Sequence, residues 1–388
     1  MKKIAVFIIM AAIFSSQSFA AYQPTLISIY SLPFNVERFH GDALDSKAAI
    51  YSAQTAFRVA ASEAENIDTE GRTVINNKTG EESFETFDDL TALTMTLKKY
   101  LLPVQKENMV VLSKMNHEAL VNQLGIAATS AFQNLVLADL KIDSTQIGLK
   151  MAQLNFEQAK TRFASGELTT LEYGFERYKL MAAEVAYDNA QLAYDNAQRL
   201  FNLSVGFDVL SSDYALISSL YGPILLETLE SYTERALSER LSLESIGMKQ
   251  SETALEMRLL LESEAFDWHL ETQERVIRLE SDLETLALVY ELEAAKVVPQ
   301  VREAYENLTI QLQEVEALKQ FTEVVEANFS ALKEQHDNDS DKGEISDYSF
   351  YVAELEFINA KQNLTVAEMK VLELRRELLN VSSVGYLK

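Results

Sequence analysis

The sequence predicts an all-α protein made of long antiparallel helical hairpins in two tandem repeats, with at most short β-strands. Three observations predict it. Only 12 Gly and 5 Pro occur in 388 residues, far below the usual shares of roughly 7% and 5%, so a fold of many tight turns is excluded. Apolar residues recur at alternating spacings of three and four along extended stretches, which is the seam of helices packed knobs-into-holes. That seam occurs twice, at a nearly constant offset.

The first element is a leader. Lys2 and Lys3 precede the apolar run Ile4 to Phe14, and Ser18-Phe19-Ala20 places small residues where a signal peptidase reads, so residues 1–20 are expected to be a secretory signal peptide. Its loss would take the formal charge from −25 to −27. Residues 42–66 are expected to be helical. Residues 68–85 are polar, with a turn at Asn77-Lys78-Thr79-Gly80. One long helix is expected from Lys106 to Ala164. Gly166 ends it, because a helix C-terminus needs a residue tolerant of positive φ, and Thr169 or Thr170 is suited to cap the return helix to Leu203. Residues 207–223 connect the copies. Helix is expected again from Leu225 to about Val298, with a kink or restart at Pro299. A second hairpin then rises to Glu334 and returns from Ser346 to Asn380.

The duplication is legible in detail. Ala131-Phe132-Gln133-Asn134-Leu135 returns as Ala304-Tyr305-Glu306-Asn307-Leu308, and Asn155-Phe156 as Asn328-Phe329, both shifted by 173. Gly166 and Gly343 are 177 apart, so four residues are inserted just before the second glycine. Beyond the glycines the seam Leu180, Ala183, Tyr187, Ala190, Tyr194, Ala197, Phe201 matches Phe357, Ala360, Leu364, Ala367, Val371, Leu374, Leu378. Alternating Ala with bulky residues lets backbones approach on one side while a ring or Leu fills the hole opposite. Tyr178, Tyr187, Tyr194 and Phe201 are therefore read as packing, and Trp268 as a packing residue at the end opposite the hairpin tips. The chain divides into residues 1–20, a first repeat 21–222 with its tip near Gly166, and a second repeat 223–388 with its tip near Gly343.

Composition excludes several functions. Acidic residues outnumber basic ones 59 to 34, the wrong sign for nucleic acid or an anionic membrane surface. There is no Cys, hence no disulfide, thiolate metal site or thiol nucleophile. His40, His117, His269 and His336 are scattered, and no nucleophile motif or Gly-rich phosphate loop occurs; neither an enzyme nor a cofactor is expected.

The tip Arg162-Phe163-Ala164-Ser165-Gly166 leading into Glu172, Ala183, Ala190, Ala197 and Gly206, and the second copy from Gly343 to Gly385, resemble the TolC-like outer membrane efflux proteins. So do Ala43-Leu44 and Ala236-Leu237 opening each copy, and Leu102-Pro103 before the long helix. The resemblance spans nearly the whole mature chain. It implies a homotrimer whose hairpins form a hollow α-helical barrel, an exported protein of the cell envelope serving as the exit duct of a tripartite efflux or type I secretion-like system. The tips, at Arg162, Ala164, Gly166, Gly343 and Glu344, would face an adaptor (membrane fusion) protein and its inner-membrane transporter. Acidic residues just past the second tip would form a constriction; the matching positions are Glu172 in the first copy and Ser349 in the second, with Asp347 nearby.

One departure from that family is serious. Its members insert spanning strands in each copy, and a spanning strand needs about ten alternating residues. Here the alternation is confined to Leu93, Met95 and Leu97 and to Leu286, Leu288 and Tyr290, with brief, acidic neighbours such as residues 73–75, 83–87 and 266–270, so a reduced or absent barrel is expected. The inserted tip carries Asp337, Asp339 and Asp341 before Gly343, an alternation of carboxylates that could wrap a Ca²⁺ ion, although Lys342 stands where the standard loop has Gly and Tyr348 where it has a bidentate Glu. The competing class is a structural or adhesive coiled-coil envelope protein. An adaptor is a third, but adaptors carry Gly-rich β-domains beside one hairpin, and this chain has two.

Overall fold

The computed structural model describes residues 25–28, 31–77, 80–212, 214–217, 224–338 and 347–384. The leader, Gly343, Glu344, Asp339 and Asp341 lie outside them, as does the side chain of Asp337. In order, the elements are β1 (Thr25–Ser28), α1 (Leu32–Phe39), α2 (Gly41–Glu65), β2 (Gly71–Ile75), β3 (Glu82–Thr86), α3 (Asp89–Thr96) and a π-helical turn (Leu97–Leu101). The first hairpin follows as α4 (Leu102–Ala164) and α5 (Thr170–Val205), then β4 (Tyr214–Ile217). The second repeat has α6 (Leu229–Glu239), α7 (Leu241–Leu261), the short α8 (Ala265–Trp268), and the hairpin α9 (Leu270–Asn338) and α10 (Asp347–Val381).

At 1.5 Å per residue, α4 is about 95 Å long and α9 about 100 Å, lengths no single globule requires. α5 packs along α4 and α9 along α10, while α4 and α10 join the two hairpins. Two glutamines bridge that joint from opposite sides: Gln133 Nε2 donates to the Met369 carbonyl at 2.8 Å and Gln362 Nε2 to the Leu140 carbonyl at 2.6 Å. The predicted seams are the half-buried to buried stripes of their helices, ending in fully buried Phe201 and Leu378. One core gathers Ile27, Val36, Phe132, Phe201 and Met369 from β1, α1, α4, α5 and α10; its counterpart gathers Ala236, Val301, Val371 and Leu378 from α6, α9 and α10. The duplicated positions Phe132 and Tyr305 each meet a ring, but from different elements: Phe132 meets Phe201 of α5 edge-on at 5.9 Å and Tyr305 meets Tyr232 of α6 at 6.1 Å.

Several expectations need correction. The long helix begins at Leu102 rather than Lys106: Pro103 sits in its first turn, where a missing N–H is tolerated, and the π turn feeds directly into it, the Leu102 N–H reaching the Leu97 carbonyl. Leu93, Met95 and Leu97 belong to α3 and that turn, and Leu286, Leu288 and Tyr290 to α9; alternation over five residues is also compatible with a helix, and the long α9 ladder decides it. The expected single helix from Leu225 is broken at Arg240 and around residues 262–264 and 269. Pro299 breaks nothing, although an interior proline costs about 3 kcal/mol; Val297 and Val301 flanking it are fully buried, and their burial offsets that cost. The openings of the repeats align differently as well. His40 and Arg240, both extended, separate α1 from α2 and α6 from α7, which pairs Ala236 with Val36 and not with Ala43.

The interrepeat connection includes a strand the sequence did not announce. β4 pairs in parallel with β1, Thr25 opposite Tyr214. Behind it Asn202 is fully engaged, its Nδ2 donating to the Val209 and Ser211 carbonyls and its Oδ1 accepting from Tyr214 Oη at 2.7 Å. At the end opposite the tips, β2 and β3 form an antiparallel hairpin of five residues a side, half the length of a membrane-spanning strand, and α8 occupies the corresponding place in the second copy. Among the described residues the strands form two two-stranded sheets and no closed barrel, and no helix is long and apolar enough to cross a membrane.

Candidate functional site

The first tip is built by two caps three residues apart, at Gly166 and Thr169. Gly166 has φ +81°; its N–H reaches the Phe163 carbonyl at 3.1 Å while the Glu167 N–H reaches Arg162 at 2.9 Å, the pair of bonds that closes a helix with a left-handed residue. Thr169 then caps α5. Its hydroxyl accepts from the Glu172 N–H at 3.2 Å, and Glu172 Oε2 accepts from the Thr169 N–H at 2.7 Å, a complete capping box. The hydrogen bond from the Thr169 backbone, then that from its hydroxyl, holds the Glu172 carboxyl below its ordinary range. Arg162 Nε lies 3.3 Å from Glu167 Oε2, both exposed, and Ala164 and Gly166 stand in solvent at the apex.

Beneath the caps the hairpin is clasped by rings. Phe163 stacks on Tyr173 at 4.7 Å and Phe156 on Tyr173 at 5.5 Å. The second hairpin repeats the clasp: Phe329, the repeat partner of Phe156, lies 5.7 Å from Phe350 and 5.3 Å from Phe357. His336 stacks on Phe350 at 4.6 Å and its Nε2 lies 3.0 Å from Asp347 Oδ1. Glu172 is held by its capping box and Asp347 by His336, and Ser349 is exposed in the first turn of α10. Composition had set His336 aside as scattered. The recurrence of Asn-Phe at 155 and 328 was the signal available for the clasp. Among the described residues no cluster of three or more carboxylates or histidines could hold a metal ion; the acidic alternation Asp337 to Asp341 falls largely outside them.

The helical edges form the second part of the site. With α4 and α10 turned to each other, α5 and α9 carry exposed large apolar residues: Leu171, Phe175, Tyr178, Met181 and Val185 on α5, and Ile310, Phe321 and Val324 on α9. Tyr178, expected to pack, is 66% exposed on this edge. Trp268 also departs from expectation. It is 57% exposed at the far end, its Nε1 donating to Asp89 Oδ2 at 2.7 Å.

Two tandem repeats, each a rod-like helical hairpin joined through inner helices above a small mixed waist, give this chain the fold of TolC-like outer membrane channels. Solved structures sharing it include CusC (12% identity, TM-score 0.59, 96% of each chain covered) and the Campylobacter jejuni CmeC outer membrane channel (12%, 0.56, 92% of this chain and 86% of that one). The Neisseria gonorrhoeae MtrE outer membrane channel, solved in an open state, is similar over 93% of this chain and 91% of its own (11%, 0.57). No protein-family model matches the sequence, and no curated protein matches it.

Proposed function

We propose that this chain is an exported envelope protein acting as the exit duct of a tripartite efflux or type I secretion-like system. Three copies close into a helical tunnel that docks an adaptor protein and, through it, an inner-membrane transporter. The observation that carries this reading is the pair of apolar edges on α5 and α9, on helices far longer than their own hairpins need. One edge meets the other edge of the next copy, a head-to-tail contact that closes when the rotation per copy divides a circle. The duct performs no chemistry; energy comes from the pump.

The tips dock the adaptor: Arg162, Ala164 and Gly166 through small-residue grooves, and Gly343 and Glu344 with Asp337, Asp339 and Asp341 through charge. Glu172, Asp347 and Ser349 face the narrowing end. In a strain lacking the protein, a fluorescent efflux dye should be retained, wild type should restore its exit, and Ala164→Trp should restore trimer mass by light scattering but not exit. Neutralising Asp337, Asp339 and Asp341 together should weaken adaptor binding most at low salt, and adding Ca²⁺ to that titration tests the ion at the same tip. A monodisperse monomer with unaltered dye exit would return the chain to the structural coiled-coil class.

A further inference from the structure

Well away from the tips, where α1, α4, α6 and α10 converge, the chain forms a half-open cavity of about 460 Å³, within the range of small-molecule sites. Its charge is one-sided. Arg235 from α6 and Arg375 and Arg376 from α10 line it, against the single carboxylate of Glu118, in a protein whose formal charge is −25. Two of the three guanidinium groups are held in place: Arg235 by Glu227 at 2.6 Å, and Arg376 by the Gly125 carbonyl and the Thr129 hydroxyl. Arg375 enters no ion pair among the described residues. Leu372, Leu379 and Pro33 complete the wall with apolar surface.

A second observation points to an occupant. Asn380 lines the same cavity at 2% exposure, and neither its Nδ2 nor its Oδ1 has a hydrogen-bond partner. Native interiors rarely leave both ends of a buried amide unmet. An oxyanion would accept from Nδ2, and a protonated phosphate oxygen, or a water carried in beside a carboxylate, would donate to Oδ1. The C-terminal end of α10, at Val381, opposes an anion with about half a negative charge and Glu118 adds a full one; with Arg235 paired to Glu227, Arg375 and Arg376 together still outweigh them. Burial pushes Arg376 down to about 10, so it stays charged at neutral pH, and an anion beside it would relieve that desolvation.

We propose that this cavity binds a small molecule carrying a carboxylate or phosphate on an apolar body, the oxyanion held by Arg375 and Asn380 and the body lying on Leu372 and Leu379. The site stands apart from the tips. The test is calorimetric titration of the full mature protein with octanoate, octyl phosphate, inorganic phosphate and octanol. Both amphipathic anions should bind saturably, inorganic phosphate more weakly than octyl phosphate, and octanol not at all. Arg375→Gln should weaken both anions by about tenfold or more, and Asn380→Asp should abolish binding by placing a like charge in the wall. Circular dichroism confirms folding of each variant; should Asn380→Asp misfold, the partly exposed Arg375→Gln carries the test. Octanol binding as tightly as octanoate, unchanged affinity in Arg375→Gln, or no saturable heat from either anion at millimolar concentration would overturn the proposal.

Discussion

Phe156 stacks on Tyr173 at 5.5 Å across the first hairpin, and the pair recurs in the second as Phe329 and Phe350 at 5.7 Å. The outgoing partners are 173 apart and the returning ones 177, so the four inserted residues lie between them and leave the register of the hairpin intact. An insertion at an apex lengthens the connection at little entropic cost, whereas one inside either helix would rotate the seam off its partner.

The clasp predicts where the first hairpin frays. Tyr173→Ala removes two stacked pairs at about 0.5–1.5 kcal/mol each beyond their buried area. Trypsin should then cut at Lys160 and Arg162 several-fold faster while the thermal midpoint moves by only a few degrees. Cleavage at the wild-type rate would show that the caps alone hold the tip.

Two left-handed glycines should differ in cost. Gly166 has φ +81° with open space around a built Cβ; Gly206 has φ +88°, and its Cβ would lie 2.5 Å from the Phe39 carbonyl oxygen. Gly166→Ala should cost about 1 kcal/mol, the backbone penalty alone. Gly206→Ala should cost on the order of 2–4 kcal/mol, since the end of α1 must also move. Urea unfolding of both variants measures the difference, and equal midpoints would remove the steric argument.

Glu172 supplies a pH dependence with a definite sign. Its folded carboxyl lies below the ordinary value because the Thr169 backbone and hydroxyl donate to it, so its contribution is present above the unfolded carboxylate range and is lost as pH falls through the depressed folded value. The stability difference between wild type and Glu172→Gln should therefore be constant at neutral pH and vanish on acidification, and Thr169→Ala should weaken that trend without removing it, since the Thr169 backbone N–H still donates. A difference that grew with falling pH would reverse the assignment.

Trp268 is the sole tryptophan, which makes its bond to Asp89 directly readable. Asp89→Ala should free the indole, shift its emission to the red and raise quenching by iodide, while Asp89→Asn keeps an acceptor and the wild-type spectrum. Superimposable spectra for wild type and Asp89→Ala would place the indole elsewhere.

Much of the fold was legible because helical periodicity is a local property. The spacing of Leu180 through Phe201 and of Phe357 through Leu378 marks both seams, Gly166 and Thr169 mark a stop and a start, and the duplication marks the second hairpin from the first. Local signals failed where two conformations share a pattern over a few residues, as at Leu93, Met95 and Leu97, and where tertiary burial overrode a breaker, as at Pro299 between Val297 and Val301.

The sequence by itself determined that long helices form, where the hairpins turn and which stripe of each helix is apolar, since each depends on residues within a few turns of one another. Only the tertiary structure decided that α4 and α10 face inward while α5 and α9 become the edges. It also placed Trp268 on Asp89, paired β1 with β4, and gathered Arg235, Arg375 and Asn380 around one cavity. Those relationships join residues more than a hundred positions apart in the chain. They follow from how rigid rods of fixed length pack side by side, and no periodicity along a single rod records which neighbour its second face will meet.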